Sequence, residues 1–407
     1  MTTDTDILIA GGGLNGTTLA LAFASAGLSV TIVDPLSKKV RKNAKFDGRS
    51  YALSLGSQRV LAALGLWTDL KENAQPILDI KVTDGRAGEG PSPFVLHFDH
   101  TEIEEGPMGF LVEDRHLRPA LLKAIAERGV KELTGPRVIA QSPEATGIGI
   151  TLDDATSLHA RLLVGCDGRM SGVARRAGIT HMRWGYGQTA LVCAIAHERP
   201  HKGIAHQFFM PPGPLAILPL VGNRSSIVWS ETTERADAIQ ALDDAAYLDV
   251  LRPRFGDFLG EIGLAGDRFS YPLGLSFAHR FVADRTALLG DAAHAVHPIA
   301  GQGLNAGLKD VAALAEVIVD ARRRGEDFGQ SDVLERYERW RRFDAASLAM
   351  ATDGFNRLFS NDNSFLRAVR DIGMGLTNAM PSLRRGFIRE AAGLTGDLPR
   401  LQQGKPL

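Results

Sequence analysis

The spacing of apolar residues sorts this chain into alternating strands and helices, then a strand-rich stretch, then helices. DILIA (6–10) is a short apolar run stopped by glycine, which predicts a strand buried on both faces. Over 14–26 the positions Leu19, Ala22, Phe23 and Ala26 recur at helical spacing, and 29–33 returns to an apolar run. The opening therefore reads strand, turn, helix, strand. Further helices are predicted over 58–64, over 115–126 with Pro119 tolerable only in a first turn, and from Gly303 onward. After Arg342 the helical period returns at Phe365, Leu366, Val369 and Ile372, then at Leu383, Phe387, Ile388 and Ala391.

Two blocks break this rhythm. Residues 76–109 and 183–281 hold segments such as AHQFFM, GPLAILPLV and SSIVWS, which predict strands of a second sheet. The expected architecture is α/β. A Rossmann-type unit is built from 1–75, 110–182 and 282–345, a β-sheet unit from 76–109 and 183–281 interrupts it, and a helical segment, 346–407, follows. A pocket is expected between the inserted sheet and the first unit, where interfaces commonly hold ligands.

Composition narrows the classes. The 407 residues carry 46 basic and 47 acidic side chains, so no overall field favours nucleic acid. Cys166 and Cys193 are too far apart for a paired-cysteine metal motif, and two cysteines make no disulfide framework, which suits a reducing cytoplasm. Residues 7–33 are uncharged, yet five glycines (Gly11, Gly12, Gly13, Gly16, Gly27) interrupt them and Asp4 and Asp6 precede them. That pattern argues against a membrane span or a signal sequence.

The candidate chemistry lies in the turns. Gly11, Gly13 and Gly16 stand between the first strand and helix in the spacing that lets a backbone approach a pyrophosphate, and Asp34 ends the next strand where a carboxylate meets an adenosine ribose. In ALLGDAAHAVHPIAGQGLNAGLKD (287–310), Asp291 follows an apolar strand as an acceptor for a sugar-type hydroxyl, and Gly301 and Gly303 open a helix whose N-terminus can face a flat ring. Two such sites at opposite ends of the chain suggest one long cofactor. Between them, VGCDGRMSGVARRAGI (164–179) reads as strand, Asp167-Gly168 turn and helix. His294 and His297 follow Asp291 at spacings open to a metal reading, but Pro298 breaks the segment and no metal is expected.

The three glycine and aspartate motifs together resemble the FAD-dependent aromatic-ring hydroxylases, the group A flavoprotein monooxygenases with a hydroxybenzoate-hydroxylase-like fold. DGRSYALSLGSQRVLAALGLW (47–67), LVEDRHLRPAL (111–121), YGQTA (186–190) and TDGFNRLFSNDN (352–363) narrow the resemblance to ubiquinone-biosynthesis hydroxylases of the UbiH and UbiF type. The resemblance implies bound FAD, NAD(P)H as reductant, O2 as co-substrate and a polyprenylated phenol as the molecule oxidised. It implies that Gly11, Gly13, Gly16, Asp34, Arg49, Arg115, Asp167, Asp291, Gly301 and Gly303 contact the cofactor. It also implies that backbone N–H groups around Gly303, Leu304 and Asn305 stabilise the anionic reduced ring, that Arg49 positions the flavin, and that the Pro298 carbonyl faces the reacting edge. A helix N-terminus in that place is worth up to ~2 kcal/mol, roughly 1.5 pKa units.

Tyr186, Gln188, Gln207 and Leu218 are the expected substrate contacts. No general base stands out, because Tyr186, Gln188, Gln207 and His294 are equally placed by spacing. The run 214–221 is apolar and Arg224 lies beyond it in a turn, which favours an uncharged ring over a carboxylated one. Burial at ~0.8 kcal/mol per CH2 makes one isoprene unit worth ~3 to 4 kcal/mol, so a long tail must stay in lipid or in a partner's groove. The 341–407 segment, with 10 basic and 6 acidic residues, is the expected contact with the inner face of the cytoplasmic membrane or with a quinone-biosynthesis complex; ordinary core packing with a solvated basic face is the alternative. Another flavin enzyme of this fold, such as a prenyl-chain reductase or a hydroxylase of a small phenol, and a non-catalytic FAD-binding scaffold subunit, stand as alternatives.

Overall fold

The computed structural model describes residues 3–41, 47–86, 90–359 and 380–407. The positions Phe365, Leu366, Val369 and Ile372 lie outside them. Thr5–Ala10 is the central strand of a parallel sheet, paired on one side with Val30–Asp34 and on the other with Ser157–Gly165. Lys131–Thr134 and Thr286–Leu288 extend the two sides, also in parallel. The unbroken apolar runs fit this placement, since a strand buried on both faces has no solvent side to alternate toward. Ile7, Leu8 and Ile9 are fully buried. Leu14–Ser25, Asp114–Glu127 and Gln302–Arg323 pack together along the sheet.

Pro119 is the sixth residue of Asp114–Glu127, one turn deeper than expected. Pro119 has no N–H to donate to the carbonyl one turn before it. The N-terminal turn is secured instead by Asp114, whose carboxylate accepts from Arg118 at 2.8 Å and from the Tyr51 hydroxyl at 2.9 Å.

The inserted blocks form a second sheet, nine-stranded among the described residues, in which His181–His197 pairs with Arg224–Thr232 and Phe269–Ala278. Asp79–Arg86 and Gly90–Asp99 join its far edge. Ala74–Ile77 does not belong to it; this strand pairs with Gly109–Glu113 in a small sheet with Ser50–Ser54. The long C-terminal helix runs Ser331–Phe359, so it begins before Arg342 and the boundary expected at 345 falls inside it.

The two faces of the large sheet differ in side-chain size. On the outer face Leu191, Cys193, Ile195, Ile217, Ile227 and Trp229 pack against Tyr247, Leu251 and Phe255 of the helix Asp244–Phe255. On the inner face the register brings Val192, Val228, Ala216 and Gln207 into one row and Ala194, Ser226 and Leu218 into the next. Val192, Val228, Ala216, Gln207 and Leu218 are only partly buried although they lie in the middle of the sheet. This part of the inner face is thus more open than the outer face opposite it.

Candidate active site

The glycine turn after Thr5–Ala10 is shaped by what it touches. Gly11 has φ +105°, and a side chain there would run into the Cys166 carbonyl at 2.3 Å. A side chain on Gly16 would meet the Gly11 carbonyl at 2.0 Å, whereas Gly13 faces open space. The glycines thus let strand, helix and the 164–179 segment close on one another while leaving one side of the loop accessible. Asp34 holds the loop from the next strand, its carboxylate accepting from the N–H groups of Gly12 at 2.6 Å and Leu36 at 2.7 Å.

Asp167 has a different local task. Its carboxylate accepts from the Ser171 hydroxyl at 2.5 Å and from the N–H groups of Gly172 and Val173 at 2.7 and 3.0 Å, so it caps the helix Gly172–Arg176.

Asp291 follows Thr286–Leu288 in a short 3-10 turn. Solvent reaches its side chain, yet it lies deep among protein atoms, and that desolvation raises its pKa against the opposing charges of His294 and Arg169. An accessible acid within a recess is a lining residue. The turn is held from behind by Asp310, which is fully buried and accepts from the Gly290 N–H at 3.1 Å, from His294 Nε2 at 2.7 Å and from Arg341 Nε at 2.8 Å. His294 is thereby spoken for as a partner of Asp310. Among the described residues no group of His, Cys, Asp and Glu is arranged to hold a metal ion.

Gly301 has φ +64° and starts Gln302–Arg323 with no side-chain cap, so the first helical N–H groups point outward unsatisfied by the helix itself. A side chain on Gly303 would meet nothing within 4 Å. Asn305 departs from expectation. As the fourth helical residue, it has its own N–H inside the intrahelical ladder. Its side chain instead accepts from the Ser54 N–H at 2.9 Å and donates to the carbonyls of Ala52 at 2.8 Å and Gly301 at 3.0 Å. The first turn of the helix carries the N–H groups of Gly303 and Leu304, and the amide of Asn305 staples this turn to the strand Ser50–Ser54. The Pro298 carbonyl accepts from the Gly301 N–H at 3.0 Å.

Arg49 lies at the rim, bound to Asp47 at 2.6 Å and 3.6 Å from Asp114, with its guanidinium over the Phe269 ring at 5.9 Å. The hydrogen bond to Asp47 is the main cause of its raised pKa. Arg115 donates to Glu113 at 2.5 Å, and Arg224 reaches the same carboxylate.

On the large sheet, the pairing of His181–His197 with Phe269–Ala278 jumps from Gly185 to Thr189, so Tyr186, Gly187 and Gln188 form a bulge. Gln188 is tied at both ends of its amide, to the Pro212 carbonyl at 2.8 Å and to Asn356 at 3.1 Å. Trp184 donates to Asp353 at 3.1 Å, so two residues of the helix Ser331–Phe359 secure the bulge. Gln207 and Leu218 lie on the inner face, Leu218 in an apolar cluster with Leu55, Ala194, Leu220 and Ile388. The site thus gathers the glycine loop, the Asp291 turn, the Gly301 helix start and the inner sheet face.

A family described as FAD binding domain matches residues 4–352. The chain belongs to the FAD-dependent aromatic hydroxylases. It is 45% identical to the ubiquinone hydroxylase UbiL of Rhodospirillum rubrum, across 99% of this chain and 93% of that protein. It is 30% identical to the ubiquinone hydroxylase UbiM of Neisseria meningitidis, across 97% of this chain and 86% of that one. Its fold matches the p-nitrophenol 4-monooxygenase PnpA of Pseudomonas putida with a TM-score of 0.80 at 19% identity, across 97% and 99% of the two chains.

FAD fits this FAD-dependent monooxygenase on observations of the structure itself. Gly13 and Gly303 face open space, Asp34 ends the strand beside the glycine loop, and Asp291 is accessible in the turn after Thr286–Leu288. Asp310, Arg341 and His297 are the residues that sequence reasoning missed as site elements. A signal existed for the first: Asp310 is a charge on the otherwise apolar side of its helix, and a buried charge needs partners.

Proposed function

We propose that this enzyme hydroxylates the ring of a polyprenylated phenol in ubiquinone biosynthesis, using NAD(P)H as reductant and O2 as oxygen donor. Bound FAD supplies the oxygen-transfer chemistry, and the protein supplies binding, orientation and exclusion of water. Asp34 would hold the adenosine ribose and Asp291 the ribityl chain. Arg49 and Arg115 would meet the diphosphate or ring, and the N–H groups of Gly303 and Leu304 would favour negative charge on the ring. By resemblance, the Pro298 carbonyl would serve the reacting edge. Asp167 contributes by fixing the segment that packs on Gly11.

The observation that carries the substrate assignment is the inner sheet face. Val192, Val228, Ala216 and Leu218 offer an apolar, partly exposed wall, and Arg224 is engaged by Glu113. A carboxylated ring would need a counter-ion at that wall, whereas a neutral phenol would not. The names of UbiL and UbiM as ubiquinone hydroxylases support the same reading.

The tail has a route in keeping with its cost in water. Phe343 and Met350 on Ser331–Phe359 are 78% and 77% exposed, and Leu383 and Phe387 on Pro381–Ala391 are also exposed. These faces provide contact with lipid or with a partner that carries the tail. No helix of the described residues is long and apolar enough to cross a membrane. The test compares a short-tailed prenylphenol with 4-hydroxybenzoate, scoring hydroxylated product against uncoupled peroxide. Efficient hydroxylation of the carboxylate with the prenylphenol inert would overturn the assignment.

A further inference from the structure

Two polar side chains beside Pro298 are closed off from water without a hydrogen-bond partner: His297, through both ring nitrogens, and Tyr186, through its hydroxyl. His297 is 1% exposed. The two rings meet edge to face with centroids 5.2 Å apart. Unpaired polar atoms inside a protein carry an unmet desolvation cost and call for a use.

Their hydrogen-bonding characters are opposite. Burial lowers the His297 pKa to about 4, outweighing the pull of the Asp353 carboxylate, so the imidazole is neutral near pH 7 and one ring nitrogen is an acceptor. Burial raises the Tyr186 pKa and Asp353 adds to it, so the phenol keeps its proton and can donate. Asp353 is itself occupied by Trp184 at 3.1 Å and Arg357 at 2.9 Å and does not meet the Tyr186 hydroxyl in hydrogen-bonding geometry.

A phenol hydroxyl has one hydrogen to give and lone pairs to accept with. It complements a neutral imidazole and a tyrosine O–H taken together. Tyr186 can also move: it lies on the bulge between Gly185 and Gly187, the latter at φ +66°, and its ring is only partly buried. Bulges re-aim side chains beside active sites. A swing of the Tyr186 ring would open the side of the His297 imidazole that it contacts.

We propose that His297 and Tyr186 form the recognition site for the substrate hydroxyl, His297 accepting its hydrogen and Tyr186 donating to its oxygen. The pair supplies the contact that neither Gln188, bonded at both ends, nor His294, held by Asp310, is placed to make. This inference rests on the phenol reading above and deepens it.

The experiment measures binding of 2-prenylphenol and of its methyl ether to the oxidised holoenzyme through the flavin absorption spectrum. Wild type is expected to prefer the phenol at least ~10-fold, because a site built to bond a hydroxyl rejects an analogue that cannot reciprocate. His297→Leu and Tyr186→Phe should each cut that preference about 10-fold, with FAD content and ether affinity unchanged. His297→Asn, which restores an acceptor, should recover part of it. Tyr186→Phe removes a single oxygen and carries the test if His297→Leu fails to fold. Preference retained in Tyr186→Phe and in the folded His297 variant overturns the inference while leaving the phenol reading intact. Equal binding of phenol and ether by wild type sinks the phenol reading itself.

Discussion

Glu113 accepts a hydrogen bond at 2.7 Å from Arg224, joining the small sheet to the first residue of the strand Arg224–Thr232 in the large one. The Glu113 side chain is 3% exposed and that of Arg224 is 24% exposed, so the pair is a sheltered clamp between layers rather than a surface contact. Removing one partner of such a pair strands the other. Glu113→Ala should destabilise the protein by about 3 kcal/mol, read from denaturant unfolding. Arg224→Ala should weaken the fold while prenylphenol turnover per folded molecule persists; loss of turnover at full stability would instead make Arg224 a substrate contact.

Asp291→Ala removes a charged acceptor from the recess. A hydrogen bond of that kind is worth ~1.5 to 3 kcal/mol, or roughly 10- to 100-fold in FAD affinity. The fold should survive, since the turn is anchored by Asp310 and not by Asp291. Equilibrium dialysis of purified protein measures the outcome, and full flavin occupancy after extensive dialysis would show that the ribityl chain lies elsewhere.

Asp310 links stability to pH. Its pKa falls from 3.8 to about 2, because the charges and hydrogen bonds of His294 and Arg341 overcome the opposing effect of burial. A carboxyl with a depressed folded pKa stabilises above its unfolded value and loses that contribution as pH falls through the folded one. The window is therefore about pH 4 down to 2, and the loss there is on the order of 2 kcal/mol. Asp310→Asn should be less stable at neutral pH and should show a flatter acid limb in unfolding measured against pH.

Leu218→Arg should place a charge on the apolar wall, at a cost of several kcal/mol if it finds no partner. Hydroxylation of a prenylphenol should collapse while FAD stays bound, because Leu218 lies on the sheet side of the cleft. Variant protein that turns over normally would move the ring to another wall.

The parts of this fold legible in the sequence are those with local causes. Unbroken apolar runs marked the parallel strands, glycine spacing marked the loop that Cys166 crowds, and the Gly301 turn marked the start of a helix. Asp167 was legible as a turn, but its work as a helix cap needed the positions of Ser171, Gly172 and Val173. What stayed hidden depends on contacts between distant segments. Nothing near Gln188 announces Asn356, and nothing near Tyr186 announces that His297 will lie against its ring. The bulge that carries Tyr186 arises from a mismatch between two strands, which no single segment encodes.

The clamp at Asp310 also bears on how the protein is made. The glycine loop near residue 11 is synthesised first, but the Asp291 turn it faces is secured by Asp310 and Arg341, which leave the ribosome only in the last third of the chain. The central strand likewise waits for Ser157–Gly165 to cover its flank. Contacts so distant in sequence form slowly and leave apolar strands exposed meanwhile. The Gly290 turn is therefore held in place only after the chain has been made as far as Asp310 and Arg341, well behind the glycine loop.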